Sequence, residues 1–159
     1  MLQILIVLSL LLTFYLIMIM PNFSRRKAMK PFLYRDYAHR GLHNSDKLIP
    51  ENSMAAFREA LNNNLAIELD IHLTRDNQIV VFHDETLDRI CHVPGTIENS
   101  SYEELRSLRL QGTSEHIPLF SDVLNYVNGR VPLLIELKLP SKDTRLCNYT
   151  LKLLRTYKG

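Results

Sequence analysis

An α/β fold of the TIM-type (β/α)-barrel kind, present as its first half behind one transmembrane helix, is what this 159-residue sequence predicts. Three observations predict it. From Tyr37 onward, short apolar runs alternate with amphipathic segments, the pattern of a parallel sheet covered by helices. Charged and polar side chains sit on those runs or at their ends, where a barrel carries its chemistry. An apolar run without a charged residue opens the chain.

That opening run extends from Leu2 to Met20 and is broken only by Gln3, Ser9 and Thr13, with Tyr15 near its middle. At 1.5 Å per residue, about 20 residues cross a hydrocarbon core of about 30 Å. A cleaved signal peptide needs a basic start and a small-residue cleavage site. Met1 is followed directly by apolar residues, and Met18-Ile19-Met20-Pro21 offers no small pair. An uncleaved anchor over residues 1–21 is therefore expected. Arg25, Arg26, Lys27 and Lys30 follow it, which places the soluble part on the cytoplasmic side of the cell membrane by the positive-inside rule. Residues 22–36 read as a basic linker and 37–159 as the partial barrel domain. The net charge is only +2, and the basic residues past Lys30 are interspersed with acidic ones. That excludes a nucleic-acid footprint. Cys91 and Cys147 are isolated and read as free thiols.

The elements follow in order. Tyr37-Ala38 starts a short strand leading into His39. Ser53 to Leu61 reads as a helix: Asn52 or Ser53 caps it, and Ala56, Phe57, Ala60 and Leu61 share a face. Asn62-Asn63-Asn64 stops it, because Asn tolerates the left-handed conformation. Ala66 to Leu73 alternates strictly, with Ile67, Leu69, Ile71 and Leu73 on one face and Glu68, Asp70 and His72 on the other. Ile79 to Phe82 is a continuous apolar run, as expected of a buried strand. Ser101-Tyr102-Glu103-Glu104 is a capping box. Ser121 to Val127 is a helix with Gly129 to end it, Pro132 to Leu137 the next strand, and Asp143 to Tyr157 a final helix. The chain thus covers about four barrel strands, about half of a barrel of about 250 residues. Either the chain is truncated or it completes its sheet by another route.

Glu68 and Asp70, two apart on one strand, point the same way. Two like charges aimed inward are costly without a cation. Glu136, on a later strand and two residues from Lys138, supplies a third oxygen donor. All-oxygen ligation favours Mg²⁺ or Ca²⁺, with Mn²⁺ also suited. His39 and His83 each end an apolar run, and histidine titrates near neutral pH, so the two can act as acid and base. Arg40 can hold a phosphate by its fork and Lys138 can add a point charge. Gly41 permits close backbone approach. Asn52 is either a supporting donor or a helix cap. His43, His72 and His92 read as packing or surface residues, with a supporting role open for His72.

In this order the residues resemble the glycerophosphodiester phosphodiesterase family. The matching segments are Ala38-His39-Arg40-Gly41, Pro50-Glu51-Asn52-Ser53, Glu68-Leu69-Asp70, Thr74-Arg75-Asp76, Val80-Val81-Phe82-His83-Asp84 and Leu134-Ile135-Glu136-Leu137-Lys138. The resemblance implies a TIM barrel that hydrolyses glycerophosphodiesters to glycerol 3-phosphate and an alcohol. It implies Glu68, Asp70 and Glu136 as ligands of a divalent metal, His39 and His83 as the acid/base pair, and Arg40 and Lys138 as phosphate contacts. It also implies attack of the glycerol 2-hydroxyl on phosphorus, with water opening the cyclic phosphate. The family's later strands are absent, so a second expectation stands beside the enzyme: an inactive membrane-tethered remnant or interaction protein. Unpaired sheet edges invite another chain, so self-association is expected if the chain is complete.

Overall fold

A computed structural model describes residues 2–21, 26–139 and 143–159. Arg25 of the basic flank and residues 22–24 of the linker lie outside the described residues. The chain forms two compact units, one ending at Leu33 and one spanning Tyr34–Gly159. The first holds α1 (Leu2–Ile19) and the short α2 (Arg26–Met29). No residue of α1 is buried, and the helix is long and apolar enough to cross a membrane.

The second unit begins with β1 (Tyr37–Ala38) and α3 (Met54–Asn62). Ser53, not Asn52, caps α3: its side-chain oxygen accepts from Ala56 N–H at 3.1 Å. Asn64 takes the left-handed conformation just past the helix end. There follow β2 (Ala66–Leu73), β3 (Ile79–Val81), the one-turn α4 (Asp88–Cys91) and α5 (Tyr102–Leu105) with its capping box. Then come α6 (Phe120–Val127), β4 (Leu133–Leu137) and α7 (Arg145–Leu154). Asn128, at φ 45°, takes the left-handed C-cap of α6 one residue ahead of Gly129.

β2 is the centre of the sheet. β1 and β4 pair with it in parallel, on opposite edges, since both lie beside Ile67. β3 pairs with it antiparallel, Ile71 opposite Val81 and Leu73 opposite Ile79. The expected parallel arrangement holds for β1, β2 and β4 among the described residues, and β3 departs from it. The cause is loop length. Only Thr74–Gln78 joins β2 to β3, and a parallel crossover needs about a dozen residues. Thr74 builds the turn instead, its hydroxyl donating to Asp76 Oδ1 at 2.6 Å and accepting from Gln78 N–H at 2.9 Å. Asn77, at φ 61°, closes it.

Helices cover the outer face of the sheet. Ile67, Leu69 and Ile71 pack there with Phe57 and Ala60 of α3, Phe120, Val123 and Val127 of α6, and Leu146 of α7. A second core lies under the segment after β3, with Leu87, Ile90, Ile97, Leu105, Leu110 and Ile117. β3 serves both cores, Ile79 and Val81 on one and Val80 on the other. That division explains a run apolar at every position.

Candidate active site

The inner face of β2 carries Glu68, Asp70 and His72, all buried. Two chain segments meet on one edge of β2 beside them. β1 runs up that edge and its continuation reaches Glu68, whose carbonyl accepts from Gly41 N–H at 3.3 Å. β3 runs down the same edge, and Phe82 N–H donates to the Asp70 carbonyl at 3.0 Å. His39-Arg40 and His83-Asp84 are thus delivered to one stretch of β2 from opposite directions. The turn after β1 is tight. Arg40 (φ 55°) and Gly41 (φ 76°) are both left-handed. A side chain at Gly41 would lie 2.8 Å from Ala56 Cβ and 2.9 Å from its backbone carbon, so α3 packs directly on the glycine.

Each carboxylate of β2 is held by one oxygen. Glu68 Oε2 accepts from Arg40 N–H at 2.8 Å. Asp70 Oδ2 accepts from Asn52 Nδ2 at 3.0 Å, which gives Asn52 a positioning contact and removes it as the helix cap. Asp70 Oδ1 is buried and takes no well-directed hydrogen bond, although the Lys138 ammonium lies 3.0 Å away. Glu136, opposite Asp70 in the β2–β4 register, completes the cluster: ligand atoms of Glu68, Asp70 and Glu136 lie within 4.8 Å of one another. Lys138 Nζ also donates to Glu136 Oε1 at 2.6 Å. Burial pulls the Lys138 ammonium toward deprotonation, but the contacts to Glu136 and Asp70 outweigh it and raise its pKa. Three converging carboxylates, with the Lys138 ammonium bridging Asp70 and Glu136, form a cradle suited to a hard cation.

Arg40 lies over this cluster. Its Nε is buried without a hydrogen-bond acceptor among the described residues, 3.7 Å from Asp70 Oδ2, while Nη1 donates to Glu51 Oε1 at 2.8 Å. A phosphate oxygen would satisfy that idle donor. His39 is exposed. His83 is half-buried, and its Nδ1 donates to Asp84 Oδ1 at 2.7 Å, leaving Nε2 for chemistry. The Arg89 hydrogen bonds are the main cause that holds Asp84 down at about 2, so it is a carboxylate at neutral pH. Glu51 is likewise lowered, because the Arg89 and Arg40 contacts outweigh the upward push of burial.

Two contributors, Arg89 and Glu98, were not legible as functional residues in the sequence, and Glu51 entered only within the segment Pro50-Glu51-Asn52-Ser53. Arg89 reaches both Asp84 and Glu51. Glu51 links Arg40 to Arg89. Glu98 approaches Nδ1 of the buried His72 at 2.7 Å, while His72 Nε2 donates to the His83 carbonyl at 3.2 Å. His72 is therefore a support for the His83 backbone. His43 and His92 are exposed, as expected.

The sequence pattern of the glycerophosphoryl diester phosphodiesterase family matches residues 39–158. A glycerophosphodiester phosphodiesterase of Bacillus altitudinis is 36% identical over 120 residues, covering 69% of this chain and 46% of the relative. A lysophospholipase D of Homo sapiens is 31% identical over 141 residues, covering 80% of this chain and 44% of the relative. Among solved structures, an Oleispira antarctica phosphodiesterase in complex with the product sn-glycerol-3-phosphate superposes with TM-score 0.71 at 26% identity, over 80% of this chain and 54% of that one. The Thermotoga maritima glycerophosphodiester phosphodiesterase gives 0.63 at 29% identity, over 77% of this chain and 50% of that one. The chain spans about half the length of the proteins it matches.

Proposed function

The chain belongs to the glycerophosphoryl diester phosphodiesterase family, and from that premise we propose that it carries the acid/base and metal-holding half of a site that hydrolyses glycerophosphodiesters. The products are glycerol 3-phosphate and an alcohol. One observation carries this reading: His39-Arg40 and His83-Asp84 converge from opposite directions on the edge of β2 that holds Glu68 and Asp70.

Glu68, Asp70 and Glu136 would hold a divalent ion, Mg²⁺ or Ca²⁺ with Mn²⁺ also suited, which would supply positive charge at the phosphoryl oxygens. Arg40 and Lys138 hold the phosphate, the one through its idle Nε and the other as a point charge. Asn52 keeps Asp70 in place. His39 and His83 form the acid/base pair. One takes the proton of the glycerol 2-hydroxyl as its oxygen bonds to phosphorus; the other protonates the departing alcohol oxygen as its bond to phosphorus breaks. Water then opens the cyclic phosphate with the two roles exchanged, which returns both histidines to their starting states. The attacking hydroxyl belongs to the substrate, so proximity is built in.

We read residues 1–21 as the anchor, 22–36 as a linker and 37–159 as the partial catalytic domain, with the soluble part in the cytoplasm. The apolar α1 and the basic residues that follow it support this. The name of the human relative, lysophospholipase D, supports lysophospholipids as a further substrate class in this reading.

The test is release of glycerol 3-phosphate from glycerophosphocholine by the chain in detergent, with and without added divalent ion. Metal-dependent release that disappears in Glu68→Gln is expected. A folded sample that releases none supports the second reading, an interaction protein. That reading draws on β4, whose Leu134 is 56% exposed at an edge with no further strand among the described residues.

A further inference from the structure

We propose that Arg89 is a positioning residue that ties the His83–Asp84 pair to the Arg40–Glu51 pair and so fixes the spacing between the acid/base and phosphate-holding groups. The proposal rests on the functional reading above. Arg89 Nε donates to Asp84 Oδ2 at 2.6 Å and Nη2 to Asp84 Oδ1 at 2.8 Å. Nη2 also donates to Glu51 Oε1 at 2.8 Å, and Nη1 to Glu51 Oε2 at 3.0 Å. One planar guanidinium thus grips two carboxylates, each through both oxygens. The same carboxylates face the site. Asp84 Oδ1 accepts from His83 Nδ1 at 2.7 Å, and Glu51 Oε1 accepts from Arg40 Nη1 at 2.8 Å. The result is a continuous chain, Arg40–Glu51–Arg89–Asp84–His83, between loops that reach β2 from opposite ends.

A partly exposed ion pair usually contributes little. Two features set this one apart. The contacts are bidentate on both sides, a geometry lysine cannot reproduce. Arg89 also stands on α4, whose Ile90 and Cys91 are anchored in the second core, so its backbone is fixed by packing. Without Arg89 the two carboxylates repel each other, and Asp84 is free to turn away from the imidazole. The hydrogen bonds of Arg89 go to Asp84 and Glu51, the partners of His83 and Arg40, and it acts through them.

The experiment compares Arg89→Gln and Arg89→Lys with wild type in the full chain in detergent. The first readout is the ¹⁵N signature of the His83 ring at a pH where it is neutral. Wild type shows the Nδ1–H tautomer, Arg89→Gln a mixture of tautomers, and Arg89→Lys a partial return. The second is turnover of glycerophosphocholine. In Arg89→Gln, kcat falls by about 10- to 100-fold, as for other outer partners of a site, with KM less affected. A folded Arg89→Gln with the wild-type His83 signature overturns the proposal. Should Arg89→Gln fail to fold, Arg89→Lys decides: the wild-type signature in it overturns the proposal, a mixed one upholds it. Wild type that releases no glycerol 3-phosphate sinks the functional reading, while the His83 spectrum still judges the tie.

Discussion

β2 and β4 lie side by side, parallel and in register, and each puts a carboxylate on the inner face, Asp70 opposite Glu136. Their surroundings differ. β2 has strands on both edges, and Asp70 is fully buried. β4 pairs only with β2 among the described residues; its inner face shows Leu134, and the Glu136 side chain is 57% exposed. Strand pairing alone therefore does not hold a carboxylate firmly; a neighbour on the second edge does. Asp70 has Asn52, Arg40 and Lys138 around it, while Glu136 has Lys138.

The largest test of this contrast is Asp70→Ala. It strands two cations and an amide around the buried Asp70 position, and removing one partner of a buried pair costs about 3–5 kcal/mol. Chemical denaturation measures it. Gly41→Ala comes next, because it combines a left-handed backbone with a contact against α3. The expected loss is about 2–4 kcal/mol, with the β4 edge unaffected in amide exchange.

Asp84→Asn is smaller, about 1 kcal/mol for a partly exposed charge-assisted pair. Its signature is pH dependence. The Asp84 carboxyl is held at about 2 instead of 3.8, first by the Arg89 hydrogen bonds. A carboxyl lowered by folding stabilises fully above the unfolded value and loses that contribution as pH falls through the folded one. The gap between wild type and Asp84→Asn should therefore be constant above about pH 5 and close between pH 4 and about 2. A gap that widens in acid would refute the assignment. Smallest of all, Glu136→Gln should change stability by only about 0–1 kcal/mol, as for an exposed pair. If it matched Asp70→Ala, the contrast between the two strands would collapse.

Much of this was legible in the sequence. Strict alternation marked β2 and named Glu68 and Asp70 as neighbours on one face, because a period of two is a property of the backbone. The capping box at Ser101 was readable because both of its partners are local. The direction of β3 is not written in its apolar run, which reports burial and says nothing of polarity; the short Thr74–Gln78 loop is the signal that carries it. Asn52 had two open roles, and only the contact with Asp70 across the fold decided between them. Arg89 stayed hidden for the same reason. Its pairing with Glu51 joins residues far apart in sequence, and no local pattern announces it.

The hairpin of β2 and β3 also sets a chronology. Leu73 pairs with Ile79 across one short turn, whereas Ile67 must wait for Leu133. Contacts near in sequence close sooner, since less chain has to be ordered first. Everything from His39 to Asp84 leaves the ribosome before β4 exists. The histidine side of the site is thus laid down early, with Glu68 and Asp70 side by side next to Arg40 and Asn52. Lys138 arrives last, and its docking against Asp70 marks the moment when the two halves of the charge arrangement meet.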